Sequence, residues 1–528
     1  MEPAIDPTRT RLPALSNDER DVLLAAGDRT DESAPYLPIT EAISVIAQRH
    51  GDEVAVQFRD EQLTYLELQR LAQHVAGLLA GWDIRRGDVV AVLLDRSLEL
   101  VIAQLSVLTY GAIVLPLNPE EPPQRIDTML SDSRARLVLS GDAGPIGRTN
   151  LLPVLDVVAA LAEAPVAPPP VRARNPLTPN DGSYALFTSG STGRPKGVVN
   201  THGGIANRIA WMQDTYHLTR NDRVLYKTPV SFDVAIWEWL WPLSAGARVV
   251  VAEVGAQHDP IAIATTIRDY GVTVTHFIPS MLRLFAAQPE ANECHTLRQI
   301  VCSGEELTPT AVDEALKICP AIDNLYGPTE AAIDVTRWAC RAGAERTPIG
   351  GPISGVLLRV VDERGELVPI GVPGELLVGG IALARGYVNR PGLTAQSFVP
   401  DRWAEGTRLY RTGDRVRWSE PGVIEFIGRL DAQVKIRGVR VELGEVEAAL
   451  STIPGVVESV VVAQQDERRG PRLAAFVTGS AKAEALRRRL RGVLPEVMVP
   501  HKITCLDTMP RTANGKIDRA GLARIVGS

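Results

Sequence analysis

Between Val89 and about Asn324 the chain alternates short apolar runs rich in β-branched residues with stretches of helical periodicity, and nothing else in the sequence restricts the fold as strongly. The runs fall at 89–94, 136–139, 272–275 and 299–302, and helical stretches lie between them at 97–110, 260–270 and 309–318. Strand–helix–strand order supplies the crossover that parallel neighbours need, so the pattern predicts an α/β fold with a helix-covered parallel sheet. Beyond about Pro348 the texture changes to short strands at 356–361, 375–378 and 423–427, with turns at Arg364-Gly365 and Pro421-Gly422. These predict an antiparallel β unit packed on the α/β core. The final stretch has its own strands (459–463, 473–477) and a basic helix (482–491), enough for a small α+β domain. Residues 1–35 are polar and punctuated by prolines. A short helix begins there at Ser16, which with Glu19 fits a capping box, and the segment reads as a leader or linker.

At 528 residues the chain exceeds what one core usually supports, so two or more domains are expected. A net charge of −7 without a basic patch argues against nucleic-acid binding. Every apolar run is far shorter than the ~20 residues of a spanning helix, so no membrane segment is expected. The N-terminus lacks the basic-then-apolar pattern of a secretory signal, which makes the cytoplasm the expected location. The five cysteines form no C-x-x-C pair. They are expected to be reduced, mostly buried thiols and not a zinc site or disulfide framework.

After the apolar run Tyr184-Ala-Leu-Phe187 comes Thr188-Ser-Gly-Ser-Thr-Gly-Arg-Pro-Lys-Gly197. Gly190, Gly193 and Gly197 let several backbone N–H groups converge on one anion. Thr188, Ser189, Ser191 and Thr192 offer hydroxyls, and Lys196 adds a point charge. It is not a Walker loop, because Pro195 precedes Lys196 and Gly197 follows it. On composition alone a flexible surface loop fits equally well.

Further stretches decide between these readings: Asn324-Leu-Tyr-Gly-Pro-Thr-Glu330, the glycine-rich 374–387, Tyr410-Arg-Thr-Gly-Asp414, residues 428–447 and Asn514-Gly-Lys-Ile-Asp-Arg519. Together and in this order they resemble the adenylate-forming superfamily, specifically the adenylation domains of nonribosomal peptide synthetases, over about residues 36–520. The resemblance implies an α/β fold: a large N-terminal domain of α/β subdomains plus a distorted antiparallel β-barrel (36–429), and a small mobile α+β C-terminal domain (430–528). Residues 1–35 resemble a condensation–adenylation linker. Departures are mild: residues 108–116 differ in their small residues, and Val497 replaces a usual tyrosine.

The resemblance implies activation of a carboxylate by ATP with Mg2+, and each carried-over role makes chemical sense. The loop (Thr188, Ser189, Gly190, Ser191, Thr192, Gly193, with Lys196 assisting) would handle the β- and γ-phosphates. Glu330 would help hold magnesium and Thr329 would reach the α-phosphate. Asn324, Tyr326 and Gly327 belong to the nucleotide site, with Tyr326 stacking on adenine. Asp414 and Arg429 would meet the ribose, Asp431 would be a hinge, and Lys516 would be the mobile catalytic lysine where charge develops.

Asp233 matches the position that pairs a substrate α-ammonium, which favours an amino acid over an aryl acid. The remaining pocket positions are Val234, Trp237, His276, Val301, Ser303, Leu325, Ile333 and Asp334, with Lys516 closing the set. The combination resembles the lining associated with L-serine, with threonine its nearest competitor. Two alternatives stay open: an acyl- or aryl-CoA ligase of the same fold, and a non-catalytic docking module. The resemblance also implies a phosphopantetheine carrier protein as partner and admits a small MbtH-like protein.

Overall fold

The computed structural model describes residues 15–141, 152–165, 176–190, 193–466, 470–512 and 514–527. Ser191, Thr192, residues 1–14 of the expected leader and most of the proline run at 165–170 lie outside them.

Two sheets carry the α/β expectation. In the first, the parallel strands Val154–Asp156, Leu137–Ser140, Val89–Leu93, Ile113–Leu117 and Gly182–Thr188 are followed by the antiparallel Lys196–Thr201 and Gly386–Tyr387. In the second, six parallel strands run Val54–Phe58, Arg248–Val251, Arg223–Tyr226, Val274–Phe277, Gln299–Cys302 and Ile322–Tyr326, with antiparallel strands at both edges. Local sequence explains the helices between them. Leu98–Tyr110 starts where the Ser97 hydroxyl accepts from Leu100 N–H, and it stops at Gly111, whose φ of 89° only glycine adopts without strain. Val234–Ala245 is apolar all round, and its Trp237, Trp239 and Trp241 are fully buried between the sheets.

The antiparallel unit has five strands: Val356–Val361, Gly374–Gly380, Arg408–Glu420, Phe398–Pro400 and, paired to the third, Val423–Arg429. It curls into an open half-barrel, the distorted antiparallel barrel expected from the sequence. The edge strand Val356–Val361 is bridged by Asp28 instead of by another strand of the sheet. The expected leader therefore contacts the body of the protein. Helix Asn17–Ala26 opens with the Ser16–Glu19 capping box, buries Leu23 in the main core, and is followed by hydrogen bonds between residues 27–29 and 355–358.

The C-terminal region begins with the hairpin Gln433–Ile436/Val439–Glu442. It continues with the sheet Val456–Asp466, Gly470–Gly479, Lys502–Leu506 and the helices Leu443–Ser451, Ala483–Arg491 and Arg519–Gly527. Its apolar side chains form clusters of their own, as a separate small domain requires. Among the described residues no helix is long and apolar enough to cross a membrane. Cys294, Cys302 and Cys319 are buried free thiols, Cys340 is half-buried and Cys505 is exposed.

Candidate active site

The hydroxyl-rich loop joins two antiparallel strands, with Thr188 paired to Lys196. Gly190 and Gly193 are required by space: a Cβ on Gly190 would lie 2.0 Å from the Arg194 carbonyl oxygen, and one on Gly193 would lie 2.5 Å from the Ala448 methyl. The second neighbour belongs to the C-terminal domain, which is docked on the loop. Ser189 Oγ donates to the Arg440 carbonyl at 2.8 Å and accepts from Glu442 N–H at 3.2 Å. Gly190 N–H donates to Glu445 Oε2 at 3.0 Å, and Arg125 holds the other oxygen of that buried carboxylate at 2.7 Å. An anion does sit at the loop, and the protein supplies it.

Beside the loop, Glu330 is completely buried and surrounded by donors: Lys196 Nζ at 3.1 Å, Arg440 Nη1 at 2.9 Å and Tyr387 Oη at 2.8 Å. Burial pushes the Glu330 carboxyl up, but Arg440, Lys196 and the Tyr387 hydroxyl outweigh it and hold the group well below the carboxylate range. Burial lowers Lys196, against the pull of Glu330. The donor set suits a hard cation held by one carboxylate and phosphate oxygens, provided the Arg440 guanidinium moves off Glu330.

A cleft of about 860 Å³ opens between the large domain and the hairpin, lined among others by Glu305, Leu325, Tyr326, Asp414, Arg429 and Lys435. The end of Ile322–Tyr326 and the middle of the long strand Arg408–Glu420 bring Tyr326 and Asp414 together, and the Tyr326 hydroxyl donates to Asp414. Arg429 bridges Asp414 at 2.6 Å and Asp431 at 2.6 Å. Three residues expected at the ribose and hinge thus form one chain of charges. Asn324 lies in the cleft wall with its amide donating to the Pro348 carbonyl at 2.8 Å. Thr329 opens a short 3₁₀ turn, and its carbonyl accepts from Asn200 at 2.9 Å.

The residues expected to meet the substrate gather at the C-terminal ends of parallel strands, where ligands lodge in α/β sheets. His276 and Val301 are register partners on neighbouring strands, Ser303 follows the second, and Leu325 lies on Ile322–Tyr326. His276 Nε2 is 3.0 Å from Ser303 Oγ, and its ring meets Trp237 edge-on at 6.2 Å. Burial, and then the Lys227 and Arg208 cations, hold His276 neutral. Asp233 caps the helix that carries Val234 and Trp237, accepting from Val234 N–H at 2.9 Å. Desolvation pushes its carboxyl up to about 6; a Thr329 hydrogen bond opposes this and neighbouring Asp334 reinforces it. Ile333 is buried in the wall. Asp334 is ion-paired with Arg208 at 2.8 Å.

Among the described residues, Lys516 is the one expected site residue that this structure does not bring to the others. It is exposed in the turn closed by the Arg511–Ile517 bridge, because the small domain docks through its 433–442 hairpin and presents a different lysine. Lys435 Nζ lies 6.0 Å over the Tyr326 ring. Burial pulls its ammonium below the ordinary value, against the attraction of Asp414. Sequence reasoning missed Lys435, Arg440 and Glu445 as site residues. The signal was present: Arg437 and Gly438 take φ of 51° and 77°, a left-handed pair typical of tight hairpins. Alternation along the two strands then places Lys435 and Arg440 directly opposite each other. Gly438 N–H donates to Glu305 at 2.8 Å and locks the turn against the large domain.

Comparison with known proteins agrees with this geometry. Residues 43–388 match the family described as AMP-binding enzyme, and residues 445–516 match the AMP-binding enzyme C-terminal domain. Phosphinothricin tripeptide synthetase PhsB of Streptomyces viridochromogenes is 41% identical over 99% of this chain, which spans 44% of that protein's length. Zwittermicin A synthase ZmaJ of Bacillus cereus is 39% identical over 91% of this chain and 93% of its own. Among solved structures, NpsA-ThdA, an artificially fused adenylation–PCP di-domain from Klebsiella oxytoca, superposes with a TM-score of 0.81 at 28% identity, over 89% of this chain and 94% of that one. The chain therefore belongs to the AMP-binding, adenylate-forming enzymes and is an adenylation domain of the nonribosomal peptide synthetase family.

Proposed function

We propose that this domain activates L-serine and passes it to a carrier protein. The serine carboxylate attacks the α-phosphorus of ATP, forming the acyl–phosphate bond of seryl-AMP and breaking the bond to pyrophosphate. A phosphopantetheine thiol then attacks the acyl carbon, and AMP leaves. The observation that carries the reading is the makeup of the recess. One carboxylate, Asp233, suits an α-ammonium, and beside it a small neutral polar set of His276, Ser303 and the Arg208-paired Asp334 is bounded by Trp237. Amino-acid-dependent exchange of labelled pyrophosphate into ATP tests it across a substrate panel. Serine is expected to lead, and exchange with no amino acid would end the proposal. Threonine is the second reading, because one methyl changes binding by only ~1–3 kcal/mol.

Mg2+ would be held by Glu330 together with phosphate oxygens, and it would neutralise charge on the departing pyrophosphate. Asp431, exposed and tied to Arg429, serves as the hinge about which the small domain exchanges the hairpin for Lys516. The fused PCP domain of NpsA-ThdA supports a carrier protein as the acceptor. An MbtH-like protein is a further possible partner, tested by co-expression.

Two expected outcomes arise here. Asp233 can pair with an ammonium only when ionised. Because its carboxyl is raised to about 6, the competent form is present above that pH and is lost as pH falls through it. KM for serine should rise about tenfold per pH unit below 6, and an unchanged KM at pH 5 would contradict the assignment. Lys196→Ala, which takes one cation from Glu330 and the loop, should raise KM for ATP and leave the ranking of amino acids unchanged. A switch in preferred amino acid would show that the loop has another job.

A further inference from the structure

Arg208 lies outside the sequence motifs, yet it reaches the recess from helix His202–Tyr216. Its Nη2 donates to Asp334 Oδ2 at 2.8 Å, both side chains are almost fully buried, and the guanidinium lies 4.7 Å over the Trp211 ring. The Asp334 side of this pair is held by unusual backbone. Ala332 and Ile333 both take left-handed conformations, with φ of 45° and 82°, the second a rare state for a β-branched residue. The turn presses on Gly327, where a Cβ would lie 2.3 Å from the Ile333 carbonyl oxygen and 2.5 Å from the Asp334 Cα. Strain of this kind persists where surrounding structure enforces it, and it marks functional positions.

The charges in the recess explain what the pair does. Asp233 and Asp334 are both carboxylates, His276 is neutral, and Arg208 is the cation bonded to Asp334. Among these groups of the large domain the balance is one negative charge, which matches one α-ammonium; the Lys435 ammonium that also acts on Asp233 comes with the docked hairpin. Without Arg208 the balance would be two, which would suit a substrate carrying a second ammonium. A carboxylate accepts at both oxygens, so Asp334 can hold Arg208 and still accept from a substrate hydroxyl. The Arg208 Nε and Nη1 groups are buried with no acceptor among the described residues, so they offer a second cation nothing to accept its protons, and the guanidinium charge repels a cation brought beside it.

Building on the serine reading, we propose that Arg208 is a specificity-determining residue that acts through Asp334. It reserves that carboxylate for a neutral hydroxyl and excludes amino acids with a cationic side chain, of which 2,3-diaminopropionate is the near-isostere of serine. This is selection by an unfavourable charge placed against the competitor.

The test compares pyrophosphate exchange with serine and with 2,3-diaminopropionate in the wild-type domain, Arg208→Met, Asp334→Asn and the double variant. Arg208→Met should raise the diaminopropionate-to-serine ratio of kcat/KM by about tenfold or more. The double variant, with one negative charge again, should bring the ratio back towards the wild-type value. A purely structural Arg208 would lower both activities together, so an unchanged ratio overturns the proposal, as does a ratio that stays raised in the double variant. Where Arg208→Met fails to fold, judged by melting temperature and ATP-analogue binding, Arg208→Lys decides. It keeps the charge and should keep the wild-type ratio, and a raised ratio there also overturns the proposal. Failure of the serine reading itself is a separate result, seen in the wild-type panel as a different preferred substrate.

Discussion

Replacing Lys516 by alanine should slow serine-dependent pyrophosphate exchange by about 10²–10³-fold, the usual cost of removing one group that stabilises developing charge. Its exposed position makes the result easy to interpret. Substitutions at such surface sites change stability by about ±0.5 kcal/mol or less, so the melting temperature should not move. Transfer of the seryl group from separately supplied seryl-AMP to a carrier thiol should proceed normally, because with the hairpin docked Lys435 and not Lys516 faces the Tyr326 ring. Lys435→Ala should show the opposite division, with exchange retained and transfer impaired. Equal losses in both half-reactions for either variant would refute a division of labour between the two lysines.

Asp233→Asn should lower kcat/KM for serine by about 30- to 5,000-fold, the equivalent of the ~2–5 kcal/mol lost when a desolvated charge pair loses one member. The change keeps the side chain's size, and its amide oxygen can still accept from Val234 N–H, so the helix cap survives. Binding of an ATP analogue should be unaffected, since the nucleotide cleft is lined by other residues. The informative control is a carboxylic acid of serine's size that lacks the amine. If Asp233→Asn left an efficient reaction on such an acid unchanged, a ligase for amine-free acids would replace the amino-acid reading.

Local features of the chain were legible because local physics produces them. The Ser16–Glu19 box and Ser97 cap the helices they were expected to start, and 356–361 and 299–302 are strands as their β-branched runs predicted. What escaped was long-range pairing. Val54–Phe58 carries only modest apolar signal and becomes a strand by joining Val249 and Val250, nearly two hundred residues away, and Glu61–Thr64 then pairs with it at the sheet edge. Among the candidate site residues, motifs pointed to Glu330, Asp414 and Asp233, but not to what each is bonded to. Arg208 is invisible beside Asp334 until the helix His202–Tyr216 and a strained turn meet. Lys435 and Arg440 stood within a motif already singled out, but their roles depend on which face of the small domain is docked. That is a property of the tertiary arrangement and not of any sequence window.

The buried Glu445 carboxylate, held by Gly190 N–H and Arg125, makes the loop a shared seat. A triphosphate or pyrophosphate oxygen cannot accept from that N–H until Glu445 withdraws, and withdrawal carries the helix Leu443–Ser451 and the preceding hairpin with it. On the proposed role of the loop, phosphate at that N–H and the Glu445 contact of the docked hairpin would compete, and by thermodynamic linkage each would weaken the other by the same factor. Free pyrophosphate would then act as a brake on the docked arrangement as well as being a product of the first step, through competition for a single peptide N–H.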